Sequence, residues 1–298
     1  MHLIEIPEKD IKVYMPAELA ECNDRQYIEM SALIFYFQTD QLSYDDFRIQ
    51  ALYKLLNMKR VDKNENKIKF FSENTIDEST KLKLSKIYLL SELVDTFFEP
   101  TKDGKKTIKQ YYIHNPIPKI RGNFRNYFGP ENDFENVTVG EYLDTLEAYI
   151  NFNQTGEMSY LNTMVSIMYR KKDVFNKKRH LYNVNNLSNR TTLFKKLHIG
   201  ITYGFYLYFA SFQKYLATAK IFVQGSEIDL SILFDSKAET SQLPGLGMKG
   251  VILAMAESGV YGTQDGVRKT LLWEMLIRMY DITKRSKDEA AADKKLSK

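Results

Sequence analysis

The sequence predicts a mainly α protein: stacked helical hairpins around a long central helix, with a small β-hairpin insertion and a short N-terminal strand. Three observations carry that expectation. Apolar residues recur at three- and four-residue steps through much of the chain, the period of a helix face. Helix starts are marked by capping residues, most clearly Thr138 and Glu141, whose side chains can each satisfy the other's backbone amide. Tyr and Phe are abundant, with 20 and 18 copies, whereas the chain holds only 14 Gly and 7 Pro, a balance suited to long helices. At 298 residues and 44% apolar content, the chain is long enough for one large or two ordinary domains with a real core.

In chain order, Leu3-Ile-Glu-Ile6 and Ile11-Lys-Val13 alternate as one or two short strands bent at Pro7. A first helix is expected over 24–38, capped by Asn23 with Gln26, and a second over 44–58 from a Ser43–Asp46 start. Residues 59–66 are charged and irregular, a surface connection. A third helix should begin near Glu78. The Asp103-Gly104 turn and the β-favouring run 108–114 place a small β element at about 96–120, and Arg121 to Pro130 reads as loop. Val139, Tyr142, Leu143 and Leu146 then pair with Leu161, Met164, Val165 and Met168 as a helical hairpin joined at Gly156. Phe194, Leu197, Ile201, Phe205, Tyr208, Phe212 and Tyr215 predict one central helix over 188–215, capped by Ser188 or Asn189. Residues 224–242 read as a flexible link, 248–257 as a short apolar helix ended by Gly259, and 266–285 as a last helix with a frayed tail beyond. The expected divisions are 1–98, 99–130, 131–223, 224–246, 247–285 and 286–298.

Charge is unevenly spread. The net value is +4, but residues 169–198 hold nine Lys and Arg (Arg170, Lys171, Lys172, Lys177, Lys178, Arg179, Arg190, Lys195, Lys196) against the single acid Asp173. Such a stretch is either a solvated loop or a surface for nucleic acid or an acidic protein. Cys22 is the lone cysteine, which excludes an internal disulfide and a Cys-based zinc site and makes a reducing compartment the default. The acids Glu5, Glu8 and Asp10 are unlike a signal peptide, and no apolar run reaches membrane-spanning length.

Catalytic signals are thin. Gly245-Leu-Gly-Met-Lys-Gly250 matches a dinucleotide-binding string, but no buried strand precedes it and too little chain follows for a doubly wound sheet. The four histidines are scattered without metal-ligand spacing. Glu141, Asp144 and Glu147 lie opposite the apolar stripe of their helix, where a solvated face is expected. The sequence therefore predicts no enzyme, no cofactor and no metal.

The run Thr138-Val-Gly-Glu-Tyr142…Tyr149, then Thr155-Gly-Glu157…Tyr160-Leu161…Met164-Val165…Met168-Tyr-Arg170, then Leu197…Tyr203…Phe209, resembles a family of tail-morphogenesis proteins from phages and prophages of Bacteroidetes-type hosts. The stretch Gly247-Met-Lys-Gly-Val-Ile-Leu-Ala-Met-Ala-Glu-Ser-Gly259, followed by Thr270-Leu-Leu-Trp-Glu-Met-Leu276, is similar to the C-terminal end of that family, with Lys249 in place of its usual aromatic. The resemblance spans about residues 108–282. It implies a non-enzymatic protein of tail or virion assembly, either a chaperone for the tape measure protein or a structural part, acting in the host cytoplasm during assembly or in the virion. Its contacts would be other tail or virion proteins or further copies of itself, met through Arg170, Lys171, Lys172, Lys177, Lys178 and Arg179, or through Leu272, Trp273, Met275 and Met279 of the last helix. Nucleic-acid binding by 169–198 is the alternative.

Overall fold

The computed structural model describes residues 1–7, 10–58, 78–101, 106–122, 125–173, 175, 178–223, 225–233, 259 and 261–296. It is mainly helical, with small antiparallel hairpins, as the periodicity predicts. Two compact units divide the chain: residues 1–110 with 198–204, and residues 111–197 with 205–298.

The first unit opens with a two-stranded ribbon, β1 (His2–Ile6) and β2 (Ile11–Met15), in which Leu3 faces Tyr14 and Ile4 faces Val13. Helices α1 (Asp24–Gln38) and α2 (Tyr44–Leu55) follow, the first started by the expected Asn23–Gln26 capping box and the second by Ser43. Helix α3 (Glu78–Ser91) runs into a 3-10 segment, Glu92–Phe97. Strands β3 (Phe98–Pro100) and β4 (Lys106–Ile108) form the predicted insertion, although the second strand stops at Ile108 rather than near His114. Beyond it, and already within the second unit, Tyr112 spends its backbone N–H and C=O on the Ser211 hydroxyl of the same unit, at 2.9 and 2.7 Å, instead of on a neighbouring strand.

The second unit begins with a hairpin where the sequence suggested only loop: β5 (Lys119–Arg121) and β6 (Asn126–Phe128). Helices α4 (Val139–Thr155) and α5 (Met158–Met168) form the expected pair, with Gly156 at φ 71°, the left-handed conformation that ends a helix. The single central helix is in fact two. Helix α6 (Leu187–Phe194) ends before residues 195–198, and α7 (Ile199–Thr218) starts afresh with His198 Nδ1 accepting from the Gly200 amide. The apolar spacing runs straight across this break, which is why periodicity alone joins the two. Within the first turn of α7, Gly200 permits a close backbone approach, because a Cβ atom there would fall 2.0 Å from the Ile28 carbonyl oxygen.

Three further expectations need correction. The supposed link after α7 contains a hairpin, β7 (Lys220–Val223) and β8 (Ser226–Asp229), turned at Gly225 with φ 83°. The last helix is divided into α8 (Gln264–Lys269) and α9 (Leu272–Leu296), because the intervening chain pairs with the start of α4: the Val139 amide donates to the Thr270 carbonyl and the Leu272 amide to the Val137 carbonyl. Helix α9 also continues through the supposed frayed tail, where three alanines and the i,i+4 pair Lys284–Asp288 favour helix. The apolar helix over 248–257 and the Gly245–Gly250 string lie outside the described residues.

The core of the second unit is aromatic. Phe134 stacks on Tyr208 and Phe212 with centroids 4.7 and 4.2 Å apart, and Trp273 closes edge-on against Phe212 at 6.1 Å. Asp133 and Phe134 both hold φ 56°, a conformation costly for side chains with a Cβ. Packing and the bond from Trp273 Nε1 to the Asp133 carbonyl, 2.7 Å, hold it in place.

Candidate partner-binding surface

The basic stretch is organised by the end of α5. A helix leaves its last four carbonyls without intrahelical partners. Here the Val165 carbonyl accepts from the Tyr169 amide, and the next three each receive an arginine: Arg190 Nε on Ser166 at 2.8 Å, Arg170 Nη1 on Ile167 at 2.6 Å, Arg179 Nη1 on Met168 at 2.7 Å. Cations at a helix C-terminus also meet the negative end of its dipole. Thus three of the nine bases are committed to capping one helix.

Their counter-charge is Glu141, which the helical pattern placed on a solvated face. It is 1% exposed. One carboxylate oxygen, Oε2, accepts from the Thr138 amide at 2.8 Å, completing the capping box of α4. The other, Oε1, forms an ion pair with Arg170 and lies 3.5 Å from Arg179 Nη2. The same side chain therefore starts one helix and neutralises the end of another. Burial pulls the Arg179 pKa down to about 10, with Arg170 pushing the same way and Glu141 opposing. Burial and Arg170 likewise lower Arg190. Asp144 is half-buried too, accepting from Tyr182 at 2.7 Å and from Arg268 at 2.6 Å. Only Glu147 of the three acids is exposed.

On this root stands a hairpin. Arg170 pairs with Phe128 of β6 through both backbone bonds, and the chain then folds back so that Lys172 opposes Arg179. Lys172 lies over the Phe128 ring at 4.3 Å and is exposed, as is Lys178; Lys171 is half-buried and Lys177 lies outside the described residues. Phe175 at the turn is 95% exposed and Leu181 beyond it 90%. Val184 and Leu193 are exposed as well, with Lys195 and Lys196 following. Arginine and lysine have separated by role: the planar, multi-donor guanidiniums went to buried carbonyls and the carboxylate, the flexible ammonium groups to solvent.

Of the candidate residues of the last helix, Leu272 and Met275 are buried and line this protein's own core, whereas Met279 is half-buried and the half-buried Trp273 donates to the Asp133 carbonyl. The sequence did not single out Leu181, Val184 and Leu193 as surface; exposed aliphatics without a helical period among lysines were the available signal.

Elsewhere, Cys22 is buried, and burial raises its thiol pKa to about 12, which makes it unreactive. Among the described residues no group of His, Cys, Asp or Glu could hold a metal ion, and no helix is long and apolar enough to cross a membrane. Comparison with known protein families, curated proteins and solved structures finds no match.

Proposed function

We propose that this chain is a non-enzymatic component of phage tail or virion assembly, present in the host cytoplasm during assembly and carried into the particle, that binds another assembly protein through the surface of residues 171–196. The observation that supports it is the mounting of exposed Phe175, Leu181, Val184 and Leu193 beside lysines on a hairpin whose root is fixed by buried ion pairs. Apolar area of this kind on a rigid support is what a protein contact uses. The resemblance of residues 108–282 to tail-morphogenesis proteins supplies the setting. A chaperone groove in the last helix has less support, because Leu272 and Met275 are already packed. Nucleic acid fits less well than protein: Arg170, Arg179 and Arg190 spend donors on the protein itself, and aliphatic side chains do not stack on bases.

Co-expression with the proteins encoded beside it, followed by pull-down, tests the reading, together with a search for the chain in purified particles. A complex lost on Phe175→Asp supports it. No complex with any neighbour and absence from particles overturns it.

A further inference from the structure

The basic arm does not stand alone. Strand β5 pairs with β6, Phe128 of β6 pairs with Arg170, and the arm folds back on itself, so within the second unit antiparallel pairing continues across four short segments: 119–121, 126–128, 170–173 and 178–180. Asp173 is the one acid in these segments. Lys119, Arg121 and Lys172 are exposed, as is Arg125 at the β5–β6 turn, and Lys171 is half-buried; these five form no ion pair among the described residues. Two of the ammonium groups are held together, since Lys119 and Lys172 lie 5.8 and 4.3 Å from the centre of the same Phe128 ring. The inner arginines of the arm have Glu141 as counter-charge, whereas these outer cations have an aromatic ring and no carboxylate. Their counter-charge has to come from outside the chain.

We infer that this face takes an acidic segment of the protein partner, with carboxylates meeting Lys119, Arg121 and Lys172 and apolar side chains meeting Phe175 and Leu181. The inference rests on the reading of the arm as a protein-contact surface; it extends that surface onto β5 and β6 and fixes the charge of what binds there. Phosphates would satisfy the same cations, but a nucleic acid also brings bases to be stacked. The Phe128 ring is already occupied by two ammonium groups and Leu181 is aliphatic, which leaves Phe175 as the one stacking platform of this face. A peptide carrying Asp or Glu together with Leu or Phe uses every feature of the surface.

Fluorescence anisotropy of the full chain with a labelled synthetic peptide that alternates Glu with Leu and Phe tests it, beside the same peptide with Gln for Glu and a labelled oligothymidylate. The Glu peptide should bind, and its affinity should fall about tenfold or more when salt is raised from about 0.05 M to about 0.5 M, because the charges are exposed and screened. The Gln peptide should bind about tenfold more weakly than the Glu peptide. Lys119→Glu with Arg121→Glu should keep the far-UV circular dichroism of the wild type and weaken the Glu peptide about tenfold. Lys119→Gln with Arg121→Gln should weaken it in the same direction by less, and decides the matter should the reversal disturb the fold. No binding of the Glu peptide, equal binding of the Glu and Gln peptides, variants that bind as the wild type does, or tighter binding of oligothymidylate than of the Glu peptide overturns the inference. If a tail protein is captured and its capture is indifferent to Lys119→Glu with Arg121→Glu, the inference fails and the tail reading stands. If the Glu peptide binds with these dependences while no neighbouring protein is captured and the chain is absent from particles, the tail reading fails and the acidic preference of this face stands.

Discussion

The arm at residues 170–181 and the face of α9 that carries Leu272 and Met275 both read from the sequence as surfaces for a partner, and the fold uses them oppositely. The arm is divided along its length, with guanidiniums fixed inside at the root and Phe175 and Leu181 exposed further out. The α9 face is interior at both of these positions. What separates them is the supply of apolar neighbours. Helix α9 lies against α4 and Phe212, which bury its Leu and Met, whereas among the described residues nothing covers Phe175 and Leu181 of the two-stranded arm.

The largest expected effect is at the root. Glu141→Gln keeps the shape and an amide oxygen but removes the charge, leaving Arg170 and Arg179 buried without their carboxylate; breaking a buried pair in this way costs about 3–5 kcal/mol. Urea unfolding should show that loss. An unchanged midpoint would mean that the arm's root does not need its counter-ion, and the division between inner arginines and outer lysines would fail.

Next come the α9 residues. Leu272→Ala or Met275→Ala removes side-chain volume from a packed core, at about 2–5 kcal/mol each, while capture of the assembly partner by whatever remains folded should be unaltered. A loss of partner capture without a loss of stability would return this face to the surface.

Alkali should weaken the second unit. Burial pushes the Tyr142 hydroxyl up to about 12 and raises Tyr169 and Tyr208 as well. A hydroxyl whose pKa is raised on folding contributes stability that is complete below the unfolded value of about 10 and is lost as pH rises through the folded value. Arg179 works the other way between about 10 and its ordinary value, because the unfolded chain holds its proton longer. Arg190 works with it, and two guanidiniums against several tyrosines leave a net loss. The urea midpoint should therefore fall from about pH 9 to about pH 11, with part of the tyrosinate absorbance of the chain's 20 tyrosines withheld until unfolding proceeds. Complete tyrosinate absorbance from the still-folded protein would contradict the burial of these rings.

Much of the fold was legible because helices announce themselves locally. The caps at Asn23, Ser43 and Thr138 and the Gly156 stop are all where the residues place them. What periodicity cannot express is a contact made across the chain. Glu141 sits off the apolar stripe of α4, so its helix pattern assigns it to solvent, and it is Arg170 and Arg179, 29 and 38 residues on, that make it interior. The need for glycine at position 200 has the same origin, since a Cβ there would meet the carbonyl of Ile28 far back in sequence. A third of the basic stretch was hidden likewise: nothing in a count of nine bases tells which three cap a helix.

The smallest effects on stability should lie at the outer arm, and they test the comparison most sharply because they separate stability from binding. Lys172→Ala and Phe175→Ala alter exposed side chains away from caps, ion pairs and core, so each should stay within about 0.5 kcal/mol of the wild type in urea unfolding. Phe175→Ala should nevertheless weaken capture of the assembly partner about tenfold or more, as expected of an apolar anchor at the centre of a contact, and Lys172→Ala should weaken it less and mainly at low salt. If Phe175→Ala instead lowers stability by as much as a core substitution, the ring is packed in the folded protein, and the outer arm is interior in the way the α9 face is.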